Sequence, residues 1–153
     1  KHNQVSAERL ELEITESIVM EDPDFVADIL YRLKKQGIHV AIDDFGVGFS
    51  SLSYLQKLPL DRLKIDKTFV HNSNQQSGRI IIETIVDMAH KLGLGVVAEG
   101  IEDEQQVSYF TALNCTEAQG FYFARPMPAS KLMTLLADSN NDCIRLDAST
   151  SNK

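Results

Sequence analysis

Five short β-type runs, beginning near residues 10, 38, 62, 94 and 116, each lead into a stretch of helical periodicity. That alternation constrains the fold more than any other feature of the chain. The first run, Arg9-Leu10-Glu11-Leu12-Glu13-Ile14-Thr15, alternates polar and apolar residues as a half-covered strand should. Asp22-Pro23 then reads as an N-cap with proline in the first turn, opening a helix that places Phe25, Val26, Ile29, Leu30 and Leu33 on one face. Four more strands are expected over 38–42, 62–65, 94–98 and 116–119. Between them the pattern predicts a short helix over 50–58 stopped by Pro59, a polar loop from His71 to Gly78, and a helix from Arg79 to Leu92 carrying Ile82, Ile85, Val86 and Ala89 on one stripe. A helix over 102–113 and a last one over 129–137 follow. Successive βα units imply an α/β fold with a parallel sheet and right-handed crossovers. Periodicity leaves a barrel and an open doubly wound sheet both open. The recurrence of polar residues at the C-terminal end of every strand favours the barrel, where those ends converge on one face.

Length then limits the barrel. A complete (β/α)8 barrel takes about 250 residues, and this sequence has 153. Its hydrophobic share of 43% is enough for a real core. No apolar run approaches the ~20 residues of a membrane span, and Lys1-His2-Asn3-Gln4 opens on polar residues, so no signal peptide is expected. The net charge of -7 gives no general attraction for DNA, RNA or anionic lipid. A phosphate ligand would need placed cations or a divalent metal. Cys115 and Cys143 lack metal-ligand spacing. Cys115 is expected to be a buried small hydrophobe, no disulfide is expected, and the compartment reads as reducing and cytoplasmic.

The strand ends collect the chemistry. They carry Glu13 and Glu16, then Asp43 and Asp44, then Lys64 and Asp66, then Glu99 and Glu102, and finally Gln119. Clustered acids raise one another's pKa unless a cation compensates, and carboxylate oxygens suit Mg²⁺, Mn²⁺ or Ca²⁺. Each residue also has a plainer reading. Asp43 or Asp44 could cap the next helix, Glu16 could anchor a loop, Lys64 could snorkel to solvent and Gln119 could be an ordinary strand-end amide. Glu99, between Ala98 and Gly100 after an apolar strand, needs a partner. Phe121-Tyr122-Phe123 reads as local packing, and Gly46-Val47-Gly48 lacks the ending of a phosphate loop.

The linked segments Glu11-Leu12-Glu13-Ile14-Thr15-Glu16-Ser17, Asp43-Asp44-Phe45-Gly46-Val47-Gly48-Phe49-Ser50-Ser51, Leu63-Lys64-Ile65-Asp66, Ala98-Glu99-Gly100-Ile101-Glu102 and Gln119-Gly120-Phe121, with Arg125-Pro126-Met127-Pro128 behind them, resemble the EAL domain family. The resemblance implies a modified TIM barrel, present as about five C-terminal βα units over residues 1–137, with a polar, mobile tail over 138–153. It implies hydrolysis of cyclic di-GMP to linear pGpG in bacterial signalling, with two Mg²⁺ or Mn²⁺ ions. Carried over by position, Glu13, Asp43, Asp44 and Glu99 resemble metal ligands, with Asp43 bridging both ions. Lys64 and Glu99 resemble the catalytic pair, and Gln119 the residue that orders the water. Glu16 resembles the anchor of the loop from Asp44 to Ser51, with Asp66 and Glu102 in support. The family also implies a homodimer, a cytoplasmic site of action in a parent that can be membrane-tethered, and sensory, GGDEF or response-regulator domains upstream.

Two substitutions depart from the family pattern. Val47 stands where Thr or Ala is usual, which removes a loop hydroxyl, and Phe49 stands where Tyr is common. The Glu-Ala-Leu signature and an early Asn ligand belong upstream of the first strand, so the chain is expected to be a fragment with little activity alone. A non-catalytic cyclic di-GMP receptor is the alternative, although Glu13, Asp43, Asp44, Lys64 and Glu99 are all in place. An enolase-like lyase would also use strand-end carboxylates and would be told apart by its product.

Overall fold

The computed structural model describes residues 5–46 and 55–138. Most of the helix expected over 50–58, the departures at Val47 and Phe49, Cys143 and the tail beyond Asp138 lie outside that range. Five strands, β1 (Glu11–Thr15), β2 (His39–Phe45), β3 (Arg62–Ile65), β4 (Gly95–Glu99) and β5 (Glu117–Gln119), form one parallel sheet. Their order is β1-β2-β3-β4-β5, with no reversal. A doubly wound sheet reverses its order at a switch point. The consecutive order is that of a barrel wall, in which right-handed crossovers put every helix on one side.

Strand alternation sorts the side chains. Ile14, Val40, Ile42, Leu63, Ile65, Val96 and Ala98 face the helices and are buried. They pack with Leu30 of α2 (Pro23–Lys34), Val70 of α3 (Lys67–His71), Ile82, Val86 and Ala89 of α4 (Gln76–Lys91) and Phe110 of α5 (Glu104–Ala112). Burying each large aliphatic side chain contributes roughly 1.5–3 kcal/mol. The residues between them in sequence, including Glu13, Ala41, Asp43, Lys64, Val97 and Glu99, turn to the opposite, polar face. Cys115 is a free thiol, buried as expected, and burial pushes its pKa up to about 12.

Several boundaries differ from expectation for local reasons. A short helix, α1 (Glu16–Glu21), starts directly after β1, so Glu16 is a first-turn helix residue and not the end of a strand. β2 runs on through both aspartates to Phe45. Asp66 caps α3 by accepting from the Thr68 N–H at 2.9 Å, and α4 begins at Gln76, so half of the expected polar loop is helical. On α2, Asp22 accepts from the Phe25 N–H at 3.2 Å, as a cap should. That helix packs through Val26, Leu30 and Leu33, spaced at i, i+4 and i+7. Phe25 and Ile29, on the same apolar face in the sequence, lie one step round the helix and are exposed. The last helix, α6 (Ala129–Asp138), shows Leu132, Met133 and Leu136 to solvent. No described helix is long and apolar enough to cross a membrane.

The strand ends are tied together by backbone. After β4, the Ile101 N–H donates to the Gln119 carbonyl, and the Ile101 carbonyl accepts from the Tyr122 N–H, each at 3.0 Å. Gly120 sits inside this clasp, where a Cβ would lie 2.0 Å from the Ile101 oxygen. The nearest atoms are all Ile101 backbone, so no flexible side chain is there to yield. Gly120→Ala is therefore expected to destabilise the chain by about 3 kcal/mol, the upper end for overpacking. Urea denaturation checks this, and a change under about 0.5 kcal/mol, the range of neutral surface substitutions, would contradict the clasp.

Candidate active site at the strand ends

The site begins with a fault in the sheet. Between β2 and β3, Ile42 pairs with Leu63 and Phe45 with Ile65. Two residues, Asp43 and Asp44, thus stand opposite one, Lys64. Such a bulge bends the strand and re-aims its side chains. It also forces Asp44 to φ 52°, a left-handed conformation that side chains other than glycine adopt at a cost. As a result both carboxylates remain at the mouth. Had the strand stayed regular, one of them would have turned into the apolar layer.

Lys64 is the centre. It is only 5% exposed, so it does not snorkel to water. Its ammonium lies 2.6 Å from Glu99 Oε1, 2.8 Å from Glu13 Oε1 and 3.1 Å from Asp43 Oδ1. Burial alone would lower its pKa. The hydrogen bonds to Glu13 and Glu99, with the contact to Asp43, raise it above the ordinary lysine value instead. Glu99 is pushed the other way. Burial and the charges of Asp43 and Glu13 raise its pKa, and Lys64 offsets only part of this. The Asp44 carboxyl, although exposed, is also raised, by desolvation and by repulsion from Asp43 and Asp66. The cluster therefore holds more negative charge than one ammonium can balance.

Oxygens of Asp43, Asp44 and Glu99 lie within 4.8 Å of one another. Asp43 Oδ1 is buried, and its near partner among the described residues is the Lys64 ammonium at 3.1 Å. A carboxylate oxygen held by that contact and facing two more carboxylates is what a hard divalent cation satisfies. These residues fit such an ion.

The remaining predicted residues lie at graded distances from this centre. Gln119 stands beside Glu99 in register across β4 and β5, with its side chain exposed. Glu16 is buried, and its Oε2 accepts from the Gly46 N–H at 3.4 Å, while Oε1 has no partner among the described residues. Asp66 is occupied as a helix cap, and Thr68 holds its pKa low although burial alone would raise it. Glu102 is exposed and lies 3.6 Å from His71. Sequence reasoning passed over Arg62, which pairs with Glu11 and Glu117 on the same polar face. The signal was its i−2 spacing from Lys64.

The profile of the EAL domain family matches residues 1–126. The chain belongs to the EAL domain family. Among curated relatives, the EAL chain is 44% identical over 128 residues to the cyclic di-GMP phosphodiesterase NbdA of Pseudomonas aeruginosa, covering 83% of this chain and 16% of that protein. Among solved structures, it is similar to the PaMucR phosphodiesterase in its c-di-GMP complex, with TM-score 0.82, 42% identity, and coverage of 86% of this chain and 53% of that one. It is also similar to Klebsiella pneumoniae BlrP1 in its manganese and cyclic di-GMP complex, with TM-score 0.73, 32% identity, and coverage of 80% and 31%. The EAL chain thus spans about half of the PaMucR structure and about a sixth of NbdA.

Removing the central cation tests the site's electrostatics. Lys64→Met would leave Glu13, Asp43 and Glu99 crowded without a partner, a loss of about 3–5 kcal/mol for a broken buried pair. The Glu99 pKa, already above its unfolded value, would rise further. An acid raised in the folded state destabilises above its unfolded pKa and ceases to do so once protonated. The deficit of Lys64→Met is therefore expected to grow as pH rises from about 4.5 toward neutrality and to shrink in acid. Urea midpoints measured across that range check it, and a pH-independent deficit would contradict the charge crowding.

Proposed function

We propose that this chain supplies most of the catalytic ring of a metal-dependent phosphodiesterase that hydrolyses cyclic di-GMP to pGpG. The observation that carries the reading is the unbalanced carboxylate cluster around Lys64, with oxygens of Asp43, Asp44 and Glu99 close together. The family membership and the ligand named in the PaMucR structure support the substrate. The manganese of the BlrP1 structure supports the choice of two Mg²⁺ or Mn²⁺ ions.

Glu13, Asp43, Asp44 and Glu99 would hold the ions, with Asp43 shared. Bound there, divalent cations supply Lewis acidity to the phosphodiester and a lowered pKa for water. The protein's own part is positioning and charge. Lys64, fixed by Glu13 and Glu99, presents N–H donors where negative charge develops on the phosphoryl oxygens. Glu99, with its raised pKa, takes up a proton at its carboxylate more readily than an ordinary glutamate. The Gln119 amide orients water beside Glu99. Glu16 holds the Gly46 backbone and with it the start of the loop that follows Asp44. The reading places the protein in the cytoplasm, working as a homodimer under sensory, GGDEF or response-regulator domains.

The five strands make only part of an eight-stranded ring, so the chain alone is expected to turn over cyclic di-GMP weakly or not at all. Fused to the N-terminal part of an EAL barrel, it is expected to release pGpG in the presence of Mn²⁺, and Glu99→Gln is expected to lose at least about 100-fold in kcat. Chromatography of the products reads this. Binding of cyclic di-GMP without turnover by the completed barrel would support a receptor in place of the enzyme.

A further inference from the structure

Beneath the Lys64 cluster lies a second ionic layer that the reading above does not use. Arg62 sits two residues before Lys64 on β3, the central strand, and shares its polar face. One end of its guanidinium, Nη1, is hydrogen-bonded to Glu11 Oε2 on β1. The other, Nη2, lies 2.9 Å from Glu117 Oε1 on β5. These are the two outermost strands of the sheet. Arg62 therefore reaches across the whole arc and grips both ends.

The strands between leave room for that reach. Arg62 is in register with Ala41 on β2 and with Gly95 on β4. Neither carries a side chain large enough to stand in the way, and even a Cβ at Gly95 would lie 3.4 Å from Arg62 Cγ. A planar fork with donors at two ends serves two carboxylates on opposite sides without drawing them to one point.

Both gripped residues sit two positions before a residue of the proposed site. Glu11 precedes Glu13, and Glu117 precedes Gln119, on the same faces of their strands. We propose that Arg62 is a positioning residue: by bridging Glu11 and Glu117 it sets the separation of β1 and β5, and so holds Glu13 and Gln119 at the span the site requires. The separation itself follows from the ion pairs. Its consequence for metal binding rests on the function proposed above.

Two measurements test it on the whole chain. In a Cys115→Ala, Cys143→Ser background, nitroxide labels at Leu10→Cys and Asn114→Cys report the distance between the starts of β1 and β5 by pulsed electron resonance. Arg62→Met is expected to lengthen or broaden that distance, and Arg62→Lys to change it, because one ammonium can meet both carboxylates only by drawing them to a single point. A distribution unchanged in both variants would overturn the proposal, even if their melting temperatures fell, since a merely stabilising ion pair would do no more than that. The second measurement is a Mn²⁺ titration. Removing a positive charge near an acidic site would by itself tighten Mn²⁺ binding. Mispositioned ligands are expected to weaken it about tenfold, as loss of outer-shell support does. Equal or tighter Mn²⁺ binding by Arg62→Met would overturn the link to the site. No Mn²⁺ binding by the unsubstituted chain would count against the metal reading and against that link, while the label distances would still decide whether Arg62 sets the arc.

Discussion

A single buried ammonium, ringed by carboxylates from three other strands, organises the polar face of this sheet. Lys64 is almost wholly removed from water yet meets Glu13 of β1, Asp43 of β2 and Glu99 of β4. Taking a lysine out of water is unfavourable by several kcal/mol unless its partners are well placed. The partners are well placed only if the strands hold their order and register. The apolar layer on the opposite face does that work, with Leu63 and Ile65 flanking Lys64 in sequence and fully buried among the helices. Core packing and site chemistry are thus two faces of one β3 segment, and neither stands without the other.

The same dependence explains what the sequence could and could not reveal. The alternation Leu63-Lys64-Ile65 placed the lysine opposite the core, and the family motifs placed the acids at strand ends. Whether the lysine would reach water or stay among the acids was not decided by its neighbours in sequence, because burial depends on Glu13 and Glu99, each more than thirty positions away. The bulge at Asp43 and Asp44 was invisible for a related reason. A bulge is a property of two strands, and nothing within β2 says that β3 will offer one residue against its two. Gly120 looked like part of a motif, and only the approach of Ile101 shows why a side chain does not fit there.

Other parts failed in plainer ways. Glu16 was read as a strand end because Thr15 and Glu16 carry no obvious stop signal, yet the chain turns into α1 at that residue. Phe25 and Ile29 share an apolar face with Val26, Leu30 and Leu33, but apolar character does not by itself decide burial. On α2 the stripe through Val26, Leu30 and Leu33 is enough to seat the helix, and the flanking residues remain in solvent. Arg62 looked like an ordinary charge at the start of a strand, and its two partners lie at opposite ends of the sheet.

The left-handed backbone at Asp44 makes this carboxylate easy to lose. Glycine adopts that conformation at little steric cost. A glycine there would relieve strain and remove one charge from a crowded cluster, so the fold would gain stability as the cluster lost a carboxylate. On the function proposed above, that single change would leave a more robust protein that no longer cuts.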